Sequence, residues 1–186
     1  GELQRAAGAT ERIIEILKSK DPVEKPFKIK KFVYINDTII KFNKVKFSYP
    51  LRLNDIIIER LSFSLKKGDT LALVGPSGAG KSSIFQLLLR FYEFQEGSID
   101  LGGNSIKEID PALLRDQFAF VSQEPAIFAN SVVENIRFGK PGASILEVQE
   151  AAKKSAAHDF IMKLPNGYDT FVGERGVLLS VGQKQR

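Results

Sequence analysis

The spacing of apolar and polar positions divides the start of the chain into a helix and a linker. Apolar residues recur at helical spacing over residues 3–20, which predicts a helix that ends at Asp21-Pro22. The next segment, residues 21–32, contains two prolines and closely spaced charges without periodicity, so we interpret it as a linker. We therefore expect the folded domain to begin near residue 36.

Four short segments have patterns that are typical of strands. Residues 39–49 and 60–65 alternate apolar and polar side chains, which predicts two half-buried strands. Residues 70–74 form a short apolar run that predicts a buried strand, and residues 118–121, "FAFV", predict another.

Helical spacing and capping residues predict the helices. Apolar residues recur at helical spacing over residues 81–91. Two pairs match the capping box, in which side chains three residues apart accept hydrogen bonds from each other's backbone N–H groups. These pairs are Ser144 with Glu147 and Ser180 with Gln183, and Asp110-Pro111 marks the start of a further short helix.

The composition indicates a globular domain and excludes several kinds of site. With 186 residues, 43% of them apolar, the chain is long enough for one α/β domain with a core. It has no cysteine, which excludes disulfides and thiolate metal sites and fits a reducing compartment. No apolar run approaches the roughly 18 residues that a membrane-spanning helix needs, and no signal peptide opens the chain.

The excess of basic charge lies at the N-terminal end. Residues 1–46 carry 11 basic and 6 acidic side chains, whereas residues 47–186 carry 16 of each. A solvated linker, a nucleic-acid-binding arm and a segment beside the cytoplasmic membrane surface would each have such a bias. The charge pattern alone leaves these three interpretations open.

The strongest motif is Gly75–Ser82, which matches the P-loop pattern G-x-x-x-x-G-K-[ST] between a predicted strand and a predicted helix. Its glycines let backbone N–H groups approach phosphate oxygens, and the N-terminus of the following helix adds partial positive charge. Lys81 is expected to reach the β and γ phosphates, and the Ser82 hydroxyl to bind Mg²⁺. The residues predicted to bind the nucleotide here are Gly75, Pro76, Ser77, Gly78, Ala79, Gly80, Lys81, Ser82 and Ser83.

An ordered set of further motifs resembles one family. "VKFSYP" precedes the P-loop, and "FVSQEPAIF", "FANSVVENIRFG", "VGERG" and "LLSVGQKQR" follow it. In this order they resemble the nucleotide-binding domain of ATP-binding cassette (ABC) transporters of the exporter type. The resemblance implies a P-loop NTPase (RecA-like) fold with a parallel-sheet core, an antiparallel β subdomain and an α-helical subdomain at about residues 131–163. It also implies that residues 1–35 join the domain, residues 36–186, to a transmembrane domain.

The resemblance assigns roles to residues outside the P-loop. Tyr49 matches the aromatic residue that stacks on adenine, and such stacking contributes about 1 kcal/mol. Gln123 matches the glutamine that contacts the metal ion and the attacking water. The predicted catalytic residues are therefore Gln123 and Lys81, and the predicted metal ligands are Ser82 and Gln123.

The last motif matches the family's signature sequence, L-S-G-G-Q. A helix that starts at Ser180 leaves N–H groups of residues 181–183 exposed, which makes a second anion site on the chain. In the family, two domains pair head to tail, and the signature of one covers the γ-phosphate held by the other. Ser180, Gly182 and Gln183 are therefore predicted to bind the partner's ATP. Val181 stands where the pattern has glycine, and we expect only a small steric change because a first helical turn accepts a β-branched residue.

Several functional segments of the family have no counterpart in this sequence. In the family, the Walker B strand with its aspartate, the catalytic glutamate and the switch histidine follow the signature. Glu124 lies in the glutamine motif and His158 precedes the signature, so neither of them matches. We therefore expect residues 1–186 to be a fragment that lacks the C-terminal part of the core. We also expect it to hydrolyse little ATP alone, because a general base contributes roughly 10²- to 10⁴-fold in rate.

The resemblance implies ATP and Mg²⁺ as cofactors and, in the intact parent, ATP hydrolysis that powers export across a membrane. The expected partners are a second nucleotide-binding domain and the transmembrane domains of the same transporter, at the cytoplasmic face of the membrane and without nucleic acid. Two other functions stay open: a non-hydrolysing nucleotide-binding half of an asymmetric transporter, and a soluble ABC protein. Glu174 and Arg175, in "VGERG", match the exporter loop that touches the transmembrane domains and argue against the soluble protein.

Overall fold

The chain divides into two compact units, Gly1–Phe118 and Ala119–Arg186. The structure, a computed structural model, describes residues 10–11, 13–18, 23, 25–26, 32–173, 176 and 178–186. Each unit has its own cluster of buried apolar side chains.

The N-terminal segment is helical where it is described, at residues 10–11 and 13–18, as the sequence predicts. Its apolar side chains are exposed, among them Ile13 and Leu17. The predicted helix end at Asp21-Pro22 lies outside the described residues. Within the described ranges, no helix has both the length and the apolar character that crossing a membrane requires.

The first unit contains a four-stranded antiparallel sheet with the strand order β2-β1-β3-β4. Phe42 in the central strand β1 lies opposite Phe63 of β2 and Ile99 of β3. The alternating segments at 39–49 and 60–65 are strands, which confirms that prediction. The strands are β1 (Thr38–Phe47), β2 (Ile58–Lys66), β3 (Glu96–Leu101) and β4 (Asn104–Ser105).

One face of this sheet shares a core with helix α1 (Lys81–Leu88). The Phe42 and Phe63 rings stack with centroids 4.6 Å apart. The short helix α2 (Pro111–Arg115) begins after Asp110, whose side chain accepts a hydrogen bond from the Ala112 N–H at 2.8 Å, as predicted for Asp110-Pro111. Fully buried side chains of this core are Phe42, Val45, Phe47, Leu87, Ile99, Leu101, Ile106 and Leu114.

The helix predicted at 81–91 is confirmed but ends earlier, at Leu88. Arg90 adopts a left-handed backbone conformation (φ 54°), which stops an α-helix. The Arg115 side chain donates from Nε to the carbonyl oxygen of Leu89 at 3.0 Å. A buried, turned segment therefore takes the place of the last predicted helical turn.

Two predicted strands are wrong in this structure. Residues 70–74 and 118–121 have no regular secondary structure, and Val74 and Val121 are 92% and 70% exposed. A strand exists only when a neighbouring segment satisfies its backbone N–H and C=O groups. Among the described residues, every named strand pairs antiparallel within β1–β4, so neither segment has a parallel neighbour.

Where it is described, the second unit is helical, with four short α-helices and a small core. Ser131 caps the first helix and Ser144 the second, and the predicted capping box of Ser144 with Glu147 is confirmed. An antiparallel bridge joins Ser131 to Phe171. The helices are α3 (Val132–Arg137), α4 (Ile145–Lys154), α5 (His158–Ile161) and α6 (Val181–Gln185). The core includes Val132, Val148, Ala152, Ile161, Tyr168 and Val172.

Candidate nucleotide-binding site

Gly80 of the P-loop combines a left-handed backbone with a close neighbour. Gly80 precedes α1 in a left-handed conformation (φ 81°). A Cβ atom there would lie 3.0 Å from both the carbonyl oxygen and the Cγ2 of Ile57. Gly78 is also left-handed (φ 83°), but a Cβ atom at that position would meet no atom within 4 Å. The two glycines therefore share a backbone requirement, and only Gly80 has a packing requirement as well.

The N-terminus of α1 has the features of an anion site. No side chain caps it, and its first turn contains no acidic residue. The first N–H groups of a helix have no acceptor within the helix, and the helix dipole places partial positive charge there. An oxyanion at this end would supply the missing acceptors and the counter-charge.

Lys81 lies across the P-loop. Its Nζ donates hydrogen bonds to the carbonyl oxygens of Gly75 at 2.8 Å and Pro76 at 2.6 Å. The ammonium charge is thus held on the same side as the helix N-terminus. Ser82, the next residue, is exposed in the first turn of α1.

Tyr49 lies beside the P-loop helix. Its hydroxyl shares a 2.8 Å hydrogen bond with the Ser83 hydroxyl and donates to Gln86 Oε1 at 2.8 Å. Its ring makes perpendicular contacts with Phe47 and Tyr92, at centroid distances of 4.8 Å and 5.1 Å. The structure thus brings together two predicted nucleotide-binding residues, Tyr49 and Ser83.

Gln86 is the residue of this group that sequence reasoning missed. It follows Ser83 by three positions, so both side chains lie on one face of α1. That spacing is the signal that could have indicated it. Without the fold, however, nothing in the sequence connects this face with Tyr49, which is 37 residues away.

In the second unit, the predicted helix start at Ser180 is confirmed. The Gln183 N–H donates to Ser180 Oγ at 3.3 Å, and the Ser180 N–H donates to Gln183 Oε1 at 2.8 Å. The capping box therefore uses one of the three N–H groups that were predicted to face a phosphate. Val181 is exposed, and a Cβ atom on Gly182 would meet nothing within 4 Å, so the helix start is open to a ligand.

The glutamine-motif residues Gln123 and Glu124 both lie at the surface of the second unit. Gln123 is exposed, and its carbonyl oxygen accepts a hydrogen bond from Gln185 Nε2 at 3.1 Å. Glu124 is exposed as well. Glu174 and Arg175 lie outside the described residues. Where the chain is described, no group of three or more His, Cys, Asp or Glu side chains could hold a metal ion.

His158 has a structural contact in the second unit. Its Nδ1 lies 2.8 Å from the hydroxyl of Tyr168, a buried residue of the local core. Burial raises the pKa of the Tyr168 hydroxyl above its usual value, so this group is neutral at physiological pH. His158 is therefore the hydrogen-bond partner of a buried tyrosine hydroxyl.

A cavity of about 560 Å³ lies in the second unit. Most of its lining is apolar, and of the described residues Lys184 and Arg186 are the only cations that line it. It therefore lacks the closely spaced N–H donors and cations that bind a triphosphate at a P-loop. We therefore do not assign it to the nucleotide. Its lining includes Phe120, Val121, Ile127, Val132, Ile136 and Leu179.

The family model for ABC transporters matches residues 58–186, more than half of the chain. The chain belongs to the ABC transporter family. This membership implies the P-loop NTPase fold.

Similar proteins place this ABC transporter chain in the exporter group. ABC transporter B family member 2 of Dictyostelium discoideum is 52% identical over 147 residues, which cover 79% of the chain and 10% of that protein. Member 4 from the same organism is 43% identical over 187 residues, covering all of the chain and 24% of that protein. The chain thus spans a quarter or less of the length of these two relatives.

A solved structure supports the same assignment. The chain is similar to a bacterial Atm1-family ABC exporter with ATP bound, with a TM-score of 0.89 and 37% identity. The match covers 98% of the chain and 32% of the exporter chain. The predicted resemblance to an exporter-type ABC protein is therefore confirmed.

Proposed function

We propose that this chain binds Mg-ATP at its P-loop and, within the intact protein, hydrolyses ATP to power export of a substrate across a membrane. The observation that carries the proposal is the uncapped N-terminus of α1, with Lys81 held across the loop in front of it. Membership in the ABC transporter family and the ATP-bound exporter among similar structures support it.

The phosphates are bound by complementary charge and hydrogen bonds. N–H groups at the start of α1 donate to phosphate oxygens, and Lys81 exchanges its two carbonyl acceptors for the β and γ phosphates. An ammonium–phosphate contact is stronger than its contact with neutral carbonyl groups, because both partners are charged. The exchange therefore favours the bound state.

The magnesium ion requires oxygen ligands, and the Ser82 hydroxyl is of the right type. Mg²⁺ prefers octahedral oxygen coordination and keeps several waters, so one hydroxyl together with phosphate oxygens suits it. When bound, the ion neutralises charge on the transferred phosphoryl group. Gln123 stays predicted as the second metal contact and as the residue that orients the attacking water.

Hydrolysis is proposed to need two copies of the domain. The helix start at Ser180 offers the N–H groups of Val181 and Gly182, which the capping box leaves unused. In the head-to-tail arrangement of the family, one triphosphate contacts the start of α1 in one copy and the helix start at Ser180 in the other copy. We propose that Ser180, Gly182 and Gln183 of one copy contact the γ-phosphate bound by the other, and that residues 1–186 alone bind ATP without appreciable turnover.

The proposed location is the cytoplasmic face of a membrane, with transmembrane domains of the same transporter as partners. The excess of basic residues over residues 1–46 supports this location, because cytoplasmic flanks of membrane helices are rich in Lys and Arg. In this arrangement, the N-terminal helix connects the nucleotide-binding domain to the transmembrane domain that precedes it.

The test compares Lys81→Ala with Lys67→Ala, an exposed lysine of the same unit. A charge-assisted phosphate contact contributes roughly 1.5–3 kcal/mol, so Lys81→Ala should weaken Mg-ATP binding about ten- to a hundredfold. Displacement of a fluorescent ATP analogue measures both affinities. Equal affinities for the two variants would contradict the proposal.

A further inference from the structure

The hydroxyl of Tyr49 is fixed by two side chains of the P-loop helix. A phenol has one proton, and Tyr49 donates it to Gln86 Oε1 at 2.8 Å. The Ser83 hydroxyl, also 2.8 Å away, must then donate to the Tyr49 oxygen. The three groups form a chain of hydrogen bonds that runs from Ser83 through Tyr49 to Gln86.

This chain of hydrogen bonds lies in a shielded setting. Ser83 is 5% exposed, and Tyr49 and Gln86 are half-buried. Hydrogen bonds with little access to water are worth more than exposed ones, and removing one partner leaves the other unsatisfied. The ring position of Tyr49 is therefore tied to α1 and not only to strand β1, which ends two residues earlier.

Two aromatic rings contact the Tyr49 ring, and neither is stacked parallel to it. Phe47 and Tyr92 contact it at interplanar angles of 72° and 89°, so neither ring lies parallel on a face of Tyr49. Such edge contacts locate a ring without stacking on it. The hydroxyl contacts then set the rotation of the ring relative to the start of α1, where the phosphates bind.

We propose that Gln86, together with the Ser83 hydroxyl, positions Tyr49 so that the base and the phosphates of one nucleotide are bound at a matched distance. Gln86 is a positioning residue in this proposal, because it acts on the nucleotide only through Tyr49. The inference rests on the proposed function, in which the P-loop holds the phosphates and Tyr49 holds the base.

The test separates the base from the phosphates by using two ligands in the full-length protein that carries these residues. Mg-ATP engages both parts of the site, whereas magnesium tripolyphosphate has three phosphates and no base. Calorimetric titration gives both affinities for the unmodified protein and for Gln86→Leu. Gln117→Leu, the same substitution at an exposed position, is the matched control.

Gln86→Leu should weaken Mg-ATP about three- to tenfold, the range for loss of one shielded hydrogen bond, and leave tripolyphosphate affinity unchanged. Tyr49→Phe, which keeps the ring and removes the hydroxyl, should weaken ATP by a similar factor. In the Tyr49→Phe background, Gln86→Leu should add less than twofold, because the group through which it acts is gone. Thermal unfolding of each variant checks that it is folded.

The possible failures can be distinguished. Equal losses for ATP and tripolyphosphate in Gln86→Leu would show that Gln86 supports the P-loop in general and would overturn the inference. Unchanged ATP affinity, or full additivity with Tyr49→Phe, would overturn it as well. If Lys81→Ala changes the affinity of neither ligand, the proposed function itself fails, whatever Gln86 does.

Discussion

Arg90 donates a hydrogen bond from Nη1 to the carbonyl oxygen of Ile109 at 3.1 Å, which joins the end of the P-loop helix to the segment before α2. The same nitrogen donates to the carbonyl oxygen of Ile106 at 3.1 Å, and Nε donates to Glu93 at 2.8 Å. The side chain is 3% exposed. A single guanidinium thus satisfies several buried acceptors around one turn.

We predict that Arg90→Met destabilises the protein by about 3 kcal/mol, because it leaves Glu93 and buried carbonyl groups without their donor. Arg90→Lys should also destabilise the fold, by about 1–2 kcal/mol, since an ammonium cannot reproduce the planar set of donors. Urea unfolding measures both changes. Arg52→Met, at an exposed position, is the control. A loss below about 1 kcal/mol for Arg90→Met would contradict the assigned role.

The two left-handed glycines of the P-loop allow a matched comparison. Gly78→Ala and Gly80→Ala both force a Cβ into a left-handed conformation, which costs about 1–2 kcal/mol. Gly80→Ala should cost more, because its Cβ would press on Ile57, whereas Gly78 faces open space. Thermal unfolding compares the two variants. Equal stabilities would show that Ile57 moves aside for the new Cβ atom without lowering the free energy of unfolding.

A pH-dependent contact lies at the start of α4. The Lys140 ammonium, 2.5 Å from Glu147 Oε1, and the Ser144 N–H and hydroxyl lower the pKa of Glu147 to about 2. Because the folded pKa is depressed from 4.5, the contribution of this carboxylate to stability is fully present above about pH 4.5. It is lost as the pH falls through about 2.

The measurement is an NMR titration of the Glu147 side-chain carboxyl carbon. We expect a midpoint well below 4.5 and, in Lys140→Met, a midpoint shifted upwards, because the main cause of the depression has been removed. Lys153→Met, on the same helix, is the control and should leave the midpoint in place. A midpoint near 4.5 in the unmodified protein would contradict the geometry of the capping box.

The proposed stacking of the base on Tyr49 predicts little discrimination between ATP and GTP. Tyr49→Ala should weaken ATP and GTP by similar factors, since every base offers a π face and stacking contributes about 1–3 kcal/mol. Competition of the two nucleotides against a fluorescent analogue measures the ratio. A variant that loses ATP and keeps GTP would instead indicate recognition by hydrogen bonds.

Sequence alone was sufficient for features that depend on neighbouring residues. The alternation that gives β1 and β2, the helix after the P-loop, and the capping boxes at Ser144 and Ser180 are all confirmed. Each of them is stabilised by groups within a few positions of one another or by a repeating pattern, so the sequence contains the required information. The P-loop motif can likewise be recognised from sequence alone, because it is a run of eight consecutive residues, Gly75–Ser82.

Features that need a distant partner were decided only by the tertiary structure. Residues 70–74 and 118–121 have apolar sequences that suit strands, but a strand also needs a paired neighbour, and the described residues place none beside them. The end of α1 is likewise set by Arg90 and by Arg115, which reaches back 26 residues to Leu89. The contacts of Tyr49 with Ser83 and Gln86 span 34 and 37 residues. No local pattern encodes such contacts, because they arise only when β1 and α1 pack into one core and bring their polar side chains together.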